Sequence, residues 1–136
     1  MKKLHFIGLM AFMFSACSVT TLSVNDIQNK EFNITHFETD NKVYIAPKNT
    51  QTSINFDNKD KRVFGIAACN RFFGTYTDKE NTIIIDNNLA STKMLCDNNS
   101  MEFENNFLKN FNGEFKISSN DTNIILDNKK MKIYLK

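Results

Sequence analysis

Phe103, Phe107 and Phe111 recur at every fourth residue, with Leu108 on the same face, in a chain whose other apolar residues mostly alternate one by one. A four-residue interval stacks side chains along one stripe of a helix, whereas alternation lines one face of a strand. The two periods together restrict the fold to one amphipathic helix, expected over residues 100–111, among many strands. Asn99 or Ser100 can cap its start, and Glu102 and Glu104 suit the dipole of its first turn. Gly113 lies where a left-handed residue commonly ends a helix.

The strands follow from the alternation. Phe32, Ile34 and His36 share one face of a first strand, with Asn33, Thr35 and Phe37 on the other. Residues 43–45 form a second, closed by the only proline, Pro47. Ile54 and Phe56 mark a third, and Asp57-Asn58-Lys59-Asp60 reads as a turn. Residues 62–68 and 72–77 flank a corner at Cys69-Asn70, and 82–86 and 90–94 continue the series. Residues 115–118, 123–126 and 131–135 make a closing meander, with turns at Asn120-Asp121 and Asp127-Asn128. The expected class is α+β: a strongly curved antiparallel β-sheet, or partial barrel, packed on the helix. A length of 136 residues supports one such domain, expected over residues 31–136.

The beginning of the chain reads as an export signal. Met1-Lys2-Lys3 is basic, residues 4–14 are apolar apart from His5, and Ser15-Ala16 are the small residues of a cleavage site. The apolar run is about a dozen residues, shorter than the roughly 20 that span a bilayer. Phe14-Ser15-Ala16-Cys17 resembles a bacterial lipobox, in which the cysteine is lipidated, although Phe14 replaces the usual aliphatic residue. Two or three acyl chains hold a protein durably at a membrane. The expectation is therefore a signal over 1–16, a lipid on Cys17 and a tether over 17–30. Ser18 is not the acidic residue of inner-membrane retention, which favours the periplasmic face of the outer membrane. Export also changes the charge: of 17 basic and 15 acidic side chains, Lys2 and Lys3 leave, so 15 of each remain. That balance offers nothing to nucleic acid.

Three cysteines leave one unpaired in an exported chain. With Cys17 lipidated, Cys69 and Cys96 remain to form a disulfide, two free buried thiols being the alternative. Such a bond would stabilise the domain by about 3 to 4 kcal/mol on the chain-entropy model.

The catalytic inventory is poor. His5 leaves with the signal, so His36 paired with Cys69 or Cys96 is the one available Cys-His couple, and no local signature supports it. Two distant cysteines and one histidine lack the close paired spacing of a zinc site. The carboxylates are scattered, and the four glycines are too far apart for a phosphate loop. The reading is a protein without catalytic residues, metal or cofactor, and a monomer.

The order Gly65, then Ala68-Cys69-Asn70-Arg71-Phe72-Phe73-Gly74-Thr75-Tyr76, then Thr92-Lys93-Met94-Leu95-Cys96, then Glu104-Asn105-Asn106-Phe107-Leu108, then a meander, resembles the META domain family. The likeness covers residues 31–136 and extends to its HslJ-like heat-shock lipoproteins. Two departures stand out: Phe32 where a tryptophan is common, and Ala68 where the family has glycine. Alanine fits there only if the backbone avoids positive φ, so a left-handed residue is expected at Asn70 or Gly74 instead. The resemblance implies an envelope lipoprotein associated with stress, heat or tolerance of hydrophobic antibiotics, with no established catalysis. It implies as an alternative a pilot- or chaperone-like module that holds an apolar peptide or lipid in the concave sheet. Its partners would be the membrane, through Cys17, and an envelope protein or hydrophobic ligand. Asn70 is expected to bond backbone at the corner, and Arg71, Phe73 and Tyr76 to form an interaction surface.

Overall fold

The computed structural model describes residues 16 and 18–136. The expected signal and the lipidation site Cys17 lie outside the described residues, Ala16 apart.

Twelve strands and one helix follow in order: β1 (Thr20–Thr21), β2 (Glu31–Phe32), β3 (Ile34–Thr39), β4 (Lys42–Ile45), β5 (Gln51–Asp57), β6 (Arg62–Ala68), β7 (Arg71–Lys79), β8 (Thr82–Ile85), β9 (Ala90–Ser91), α1 (Asn98–Asn110), β10 (Gly113–Ser119), β11 (Ile124–Asp127) and β12 (Met131–Leu135). The strands pair antiparallel in the order β2-β5-β6-β7-β8-β10-β11-β12-β3-β4, with β1 on β10 and β9 on β7. The sheet curls into a half-barrel. Its two ends meet through one segment, because β2 pairs with β5 while β3 pairs with β12. Between them Asn33 exchanges backbone hydrogen bonds with Lys136, at 2.8 and 3.0 Å.

The helix fills the concave side. Phe107 lies 5.7 Å from Phe37, 5.5 Å from Phe72 and 4.9 Å from Phe111, centroid to centroid, and Phe111 continues to Phe115 at 5.5 Å. All five rings are at most 1 % exposed. Burying rings of this size supplies most of the apolar driving force of a small domain. Asparagines serve the turns: Asn120 Oδ1 accepts the amides of Thr122 and Asn123, and Asn128 Oδ1 those of Lys130 and Met131.

Five expectations need correction. Residues 17–30 are not a tether where they are described. Thr20–Thr21 pair with β10, and Ser23 caps a 3-10 turn over Val24–Asp26. That turn places Val24 and Ile27, three residues apart, on one side and in the core, where they are 3 % and 0 % exposed. A single short turn leaves no periodic signal.

His36 does not share the inner face of Ile34. Tyr134 pairs with His36 and Leu135 with Ile34, so Thr35 is an extra residue in β3. This bulge shifts the alternation, sends Phe37 into the core and leaves His36 outside, stacked on Tyr134 at 4.1 Å.

The helix starts earlier than expected. Asp97 is its N-cap, accepting the Ser100 amide at 3.0 Å, and the extra residues move Glu102 and Glu104 out of the first turn. Gly113 does adopt a left-handed φ of 86° after the helix. The strand expected over 90–94 ends at Ser91; the residues after it form a loop held from the side.

The left-handed residue of the corner is Ala68 itself, with φ of 74°. Neither Asn70 nor Gly74 has positive φ.

Candidate functional site

The corner between β6 and β7 gathers the residues singled out in the sequence. β6 ends on left-handed Ala68, and the amide of Ala67 donates to the Asn70 carbonyl at 3.0 Å, which closes the turn. Turning so sharply leaves the amides of Cys69 and Asn70 pointing toward α1. Glu104 of that helix receives both with Oε2, and its Oε1 accepts the Asn70 Nδ2 group at 2.6 Å. Glu104 is 2 % exposed and Asn70 1 %. A carboxylate buried this far is tolerable because N–H groups converge on both its oxygens.

The Asn70 side chain faces the other way as well. Its Oδ1 accepts the Met94 amide at 2.7 Å and the Thr92 hydroxyl at 2.9 Å, while Nδ2 also donates to the Met94 carbonyl at 3.1 Å. One amide group thus grips both backbone groups of Met94, as a strand neighbour would. Cys69 and Cys96 are joined by a disulfide. The loop 92–96 is consequently fixed at three places, by Thr92, Met94 and Cys96. Between the last two, Leu95 stands 93 % exposed.

Chemically the corner is a clamp. The sulfurs of Cys69 and Cys96 are spent on each other, and Glu104 on backbone amides. His36 lies on the outer face against Tyr134, with Nδ1 3.0 Å from Thr35 Oγ1. Among the described residues no group of three or more His, Cys, Asp and Glu side chains could hold a metal ion.

The three residues expected as one interaction surface separate. Arg71 and Phe73 lie on the convex face of β7, and Phe73 pairs across the strands with Phe64 of β6. The two rings are 53 % and 44 % exposed and border a shallow cleft with Arg62, Thr75 and Asn88. Tyr76 is on the opposite face and 1 % exposed, because an odd number of steps from Phe73 reverses direction in a strand. Its hydroxyl accepts from Gln28 Nε2 at 3.0 Å and donates to the Asp57 carbonyl at 3.1 Å. Burial pushes its pKa above the ordinary value, against the pull of the Gln28 bond. Tyr76 therefore belongs to the core and ties in the segment before β2.

Sequence reasoning placed Asn70 at the corner but missed Glu104 as its partner and Asp97 as the cap. A signal for Glu104 was available: three residues before Phe107 and four before Leu108, it lies along the inward stripe of the helix.

The loop, the corner and the helix are the three motif segments, now in contact. The model of the META domain matches residues 25–135 of the chain. An NMR structure of a protein from Burkholderia xenovorans has the same fold, with a TM-score of 0.72 at 12 % identity, over 95 % of this chain and 97 % of that one. A second NMR structure matches with a TM-score of 0.59 at 20 % identity, over 82 % and 92 % of the two chains. No curated protein matches. With the family model spanning nearly all of the folded part, the chain belongs to the META domain family.

Proposed function

We propose that the protein is a non-enzymatic lipoprotein of the bacterial envelope, anchored through Cys17 and acting in stress or antibiotic tolerance or in envelope maintenance. The observation that carries this reading is the use of the cysteines. The chain has three; the disulfide takes Cys69 and Cys96, and the one left over follows an apolar run and small residues. The absence of an acidic residue at Ser18 favours the periplasmic face of the outer membrane. The engagement of Glu104, Cys69 and Cys96 in the clamp supports a role without catalysis.

The alternative, a pilot- or chaperone-like module holding an apolar peptide or lipid inside the sheet, is disfavoured in that form because the phenylalanines of α1 occupy the concave side. Binding of such partners would use the convex face at Arg71 and Phe73, or the Leu95 loop.

Metabolic labelling with a fatty-acid analogue tests the anchor: wild type incorporates label and Cys17→Ala does not. Label persisting in Cys17→Ala would exclude lipidation there. A deletion strain compared with wild type under heat, detergent and hydrophobic antibiotics tests the physiological role, and equal survival under all three would reject it.

A further inference from the structure

β4 ends the sheet. Its Tyr44 lies opposite Phe37 and its Lys42 opposite Thr39, and the Ala46 amide donates to the Thr35 carbonyl at 3.0 Å. In antiparallel pairing, residues that exchange backbone hydrogen bonds alternate with residues that exchange none. Ala46 sets the phase, so Tyr44 and Lys42 bond to β3, while the N–H and C=O groups of Val43 and Ile45 point over the free edge. These two residues also carry bare aliphatic side chains, 54 % and 75 % exposed. Proteins normally blunt such an edge with charge or proline. Here Lys42 and Pro47 stand only at its ends.

We propose that this edge pairs antiparallel with the same edge of a second copy of the chain, Tyr44 facing the partner's Tyr44. This register places Val43 opposite the partner's Ile45 and Ile45 opposite the partner's Val43. Both are pairs whose backbone groups are free, so each exchanges two hydrogen bonds. The exposed aliphatics then cover one another on the convex face of a continuous sheet. Beyond the strand ends, Asp40 is brought toward the partner's Lys48, twice by symmetry. Among the described residues neither Asp40 nor Lys48 has an ion pair. A slip by one residue would set Val43 against the partner's Tyr44 and put inner side chains against outer ones. Backbone phase, apolar alternation and charge thus select the same register, and the complement is written in the strand itself. The proposal is of a weak dimer where the sequence suggested a monomer, because a four-residue strand covers little area.

Sedimentation equilibrium of the chain from Ser18 to Lys136, which carries every strand and α1, tests the proposal. Mass is expected to rise from one copy toward two with concentration. Ile45→Lys is expected to raise the dissociation constant about tenfold or more, with an unchanged melting temperature at concentrations where both chains are single copies, since Ile45 is exposed. Under mild oxidation the double variant Val43→Cys, Ile45→Cys is expected to cross-link between copies, while Val43→Cys alone, facing isoleucine, is not. A single-copy mass at all concentrations, a dimer indifferent to Ile45→Lys, or cross-linking by Val43→Cys alone would each overturn it. So would a monomer whose Val43 and Ile45 amides shift on adding an uncharged extended synthetic peptide, which would assign the edge to a different protein.

Discussion

Glu104 and Asn70 meet across the boundary between helix and sheet, the carboxylate receiving both the backbone amide and the side-chain amide of one residue. The same carboxylate takes the amide of Cys69 at 3.3 Å. Glu104→Ala leaves three buried N–H groups without an acceptor, and unsatisfied donors cost about 1 to 3 kcal/mol each without adding fully. The expected loss is about 3 kcal/mol or more in urea unfolding. Glu104→Gln keeps the shape but turns one acceptor into a donor against other donors, and about half that loss is expected. If both variants unfold within about 0.5 kcal/mol of wild type, as ordinary surface changes do, the clamp is not a stabilising contact.

Ala68 holds a left-handed φ of 74°, a region that costs a non-glycine residue about 1 to 2 kcal/mol. Glycine removes that cost but adds freedom to the unfolded chain worth about 0.5 to 1 kcal/mol. Ala68→Gly is therefore expected to stabilise the domain by about 0.5 to 1 kcal/mol, and Ala68→Val, with a branched side chain at the same φ, to destabilise it. A destabilised Ala68→Gly would mean that the methyl packing outweighs the strain.

The corner also marks where the sequence was legible and where it was not. The period of four gave α1 its inner face, and alternation gave β6 and β12 their full lengths, because a half-buried strand or helix writes its burial into its pattern. The bulge at Thr35 is invisible to that logic: inserting one residue exchanges the faces, so His36 was assigned inward and Phe37 outward. Val24 and Ile27 were missed because one 3-10 turn is too short to show a period. Ala68 was misread because its conformation is imposed from outside, by Glu104 and the disulfide, and a residue's own propensity does not report such constraint. Membership in a motif does not report exposure: Tyr76, three steps along the strand from exposed Phe73, faces the core.

Tyr76 joins the segment before β2 to the core. In Tyr76→Phe, the Gln28 side-chain amide keeps only Asp78, at 3.4 Å, and the Asp57 carbonyl loses its donor. The expected cost is about 1 kcal/mol, with amide exchange over residues 24–28 accelerated more than elsewhere. The phenol adds a pH term. Its pKa is raised in the folded state by burial, so the neutral form is favoured on folding. The associated stability is complete below the ordinary value of 10.0 and is lost as pH rises above it. Tyr76→Phe should flatten that alkaline decline, and an unchanged slope would place the term in another group.

Asp97 governs the opposite end of the pH range. It caps α1, with Oδ2 receiving the Ser100 hydroxyl at 2.6 Å and Oδ1 the Ser100 amide at 3.0 Å. These bonds favour the charged form and hold the pKa below its ordinary 3.8, the hydroxyl bond being the larger cause. A depressed folded-state pKa contributes stability that is present above 3.8 and disappears as pH falls through the lower folded value. Asp97→Asn retains an oxygen that can accept the Ser100 amide, so near neutral pH it should cost less than Asp97→Ala, which loses the cap altogether. Both variants should also lose less stability than wild type between pH 4 and pH 2, since neither has a carboxylate to protonate there. Urea midpoints measured across that interval decide the point. Parallel declines in wild type and Asp97→Asn would mean that the cap acts through geometry alone, with its charge carrying none of the acid sensitivity.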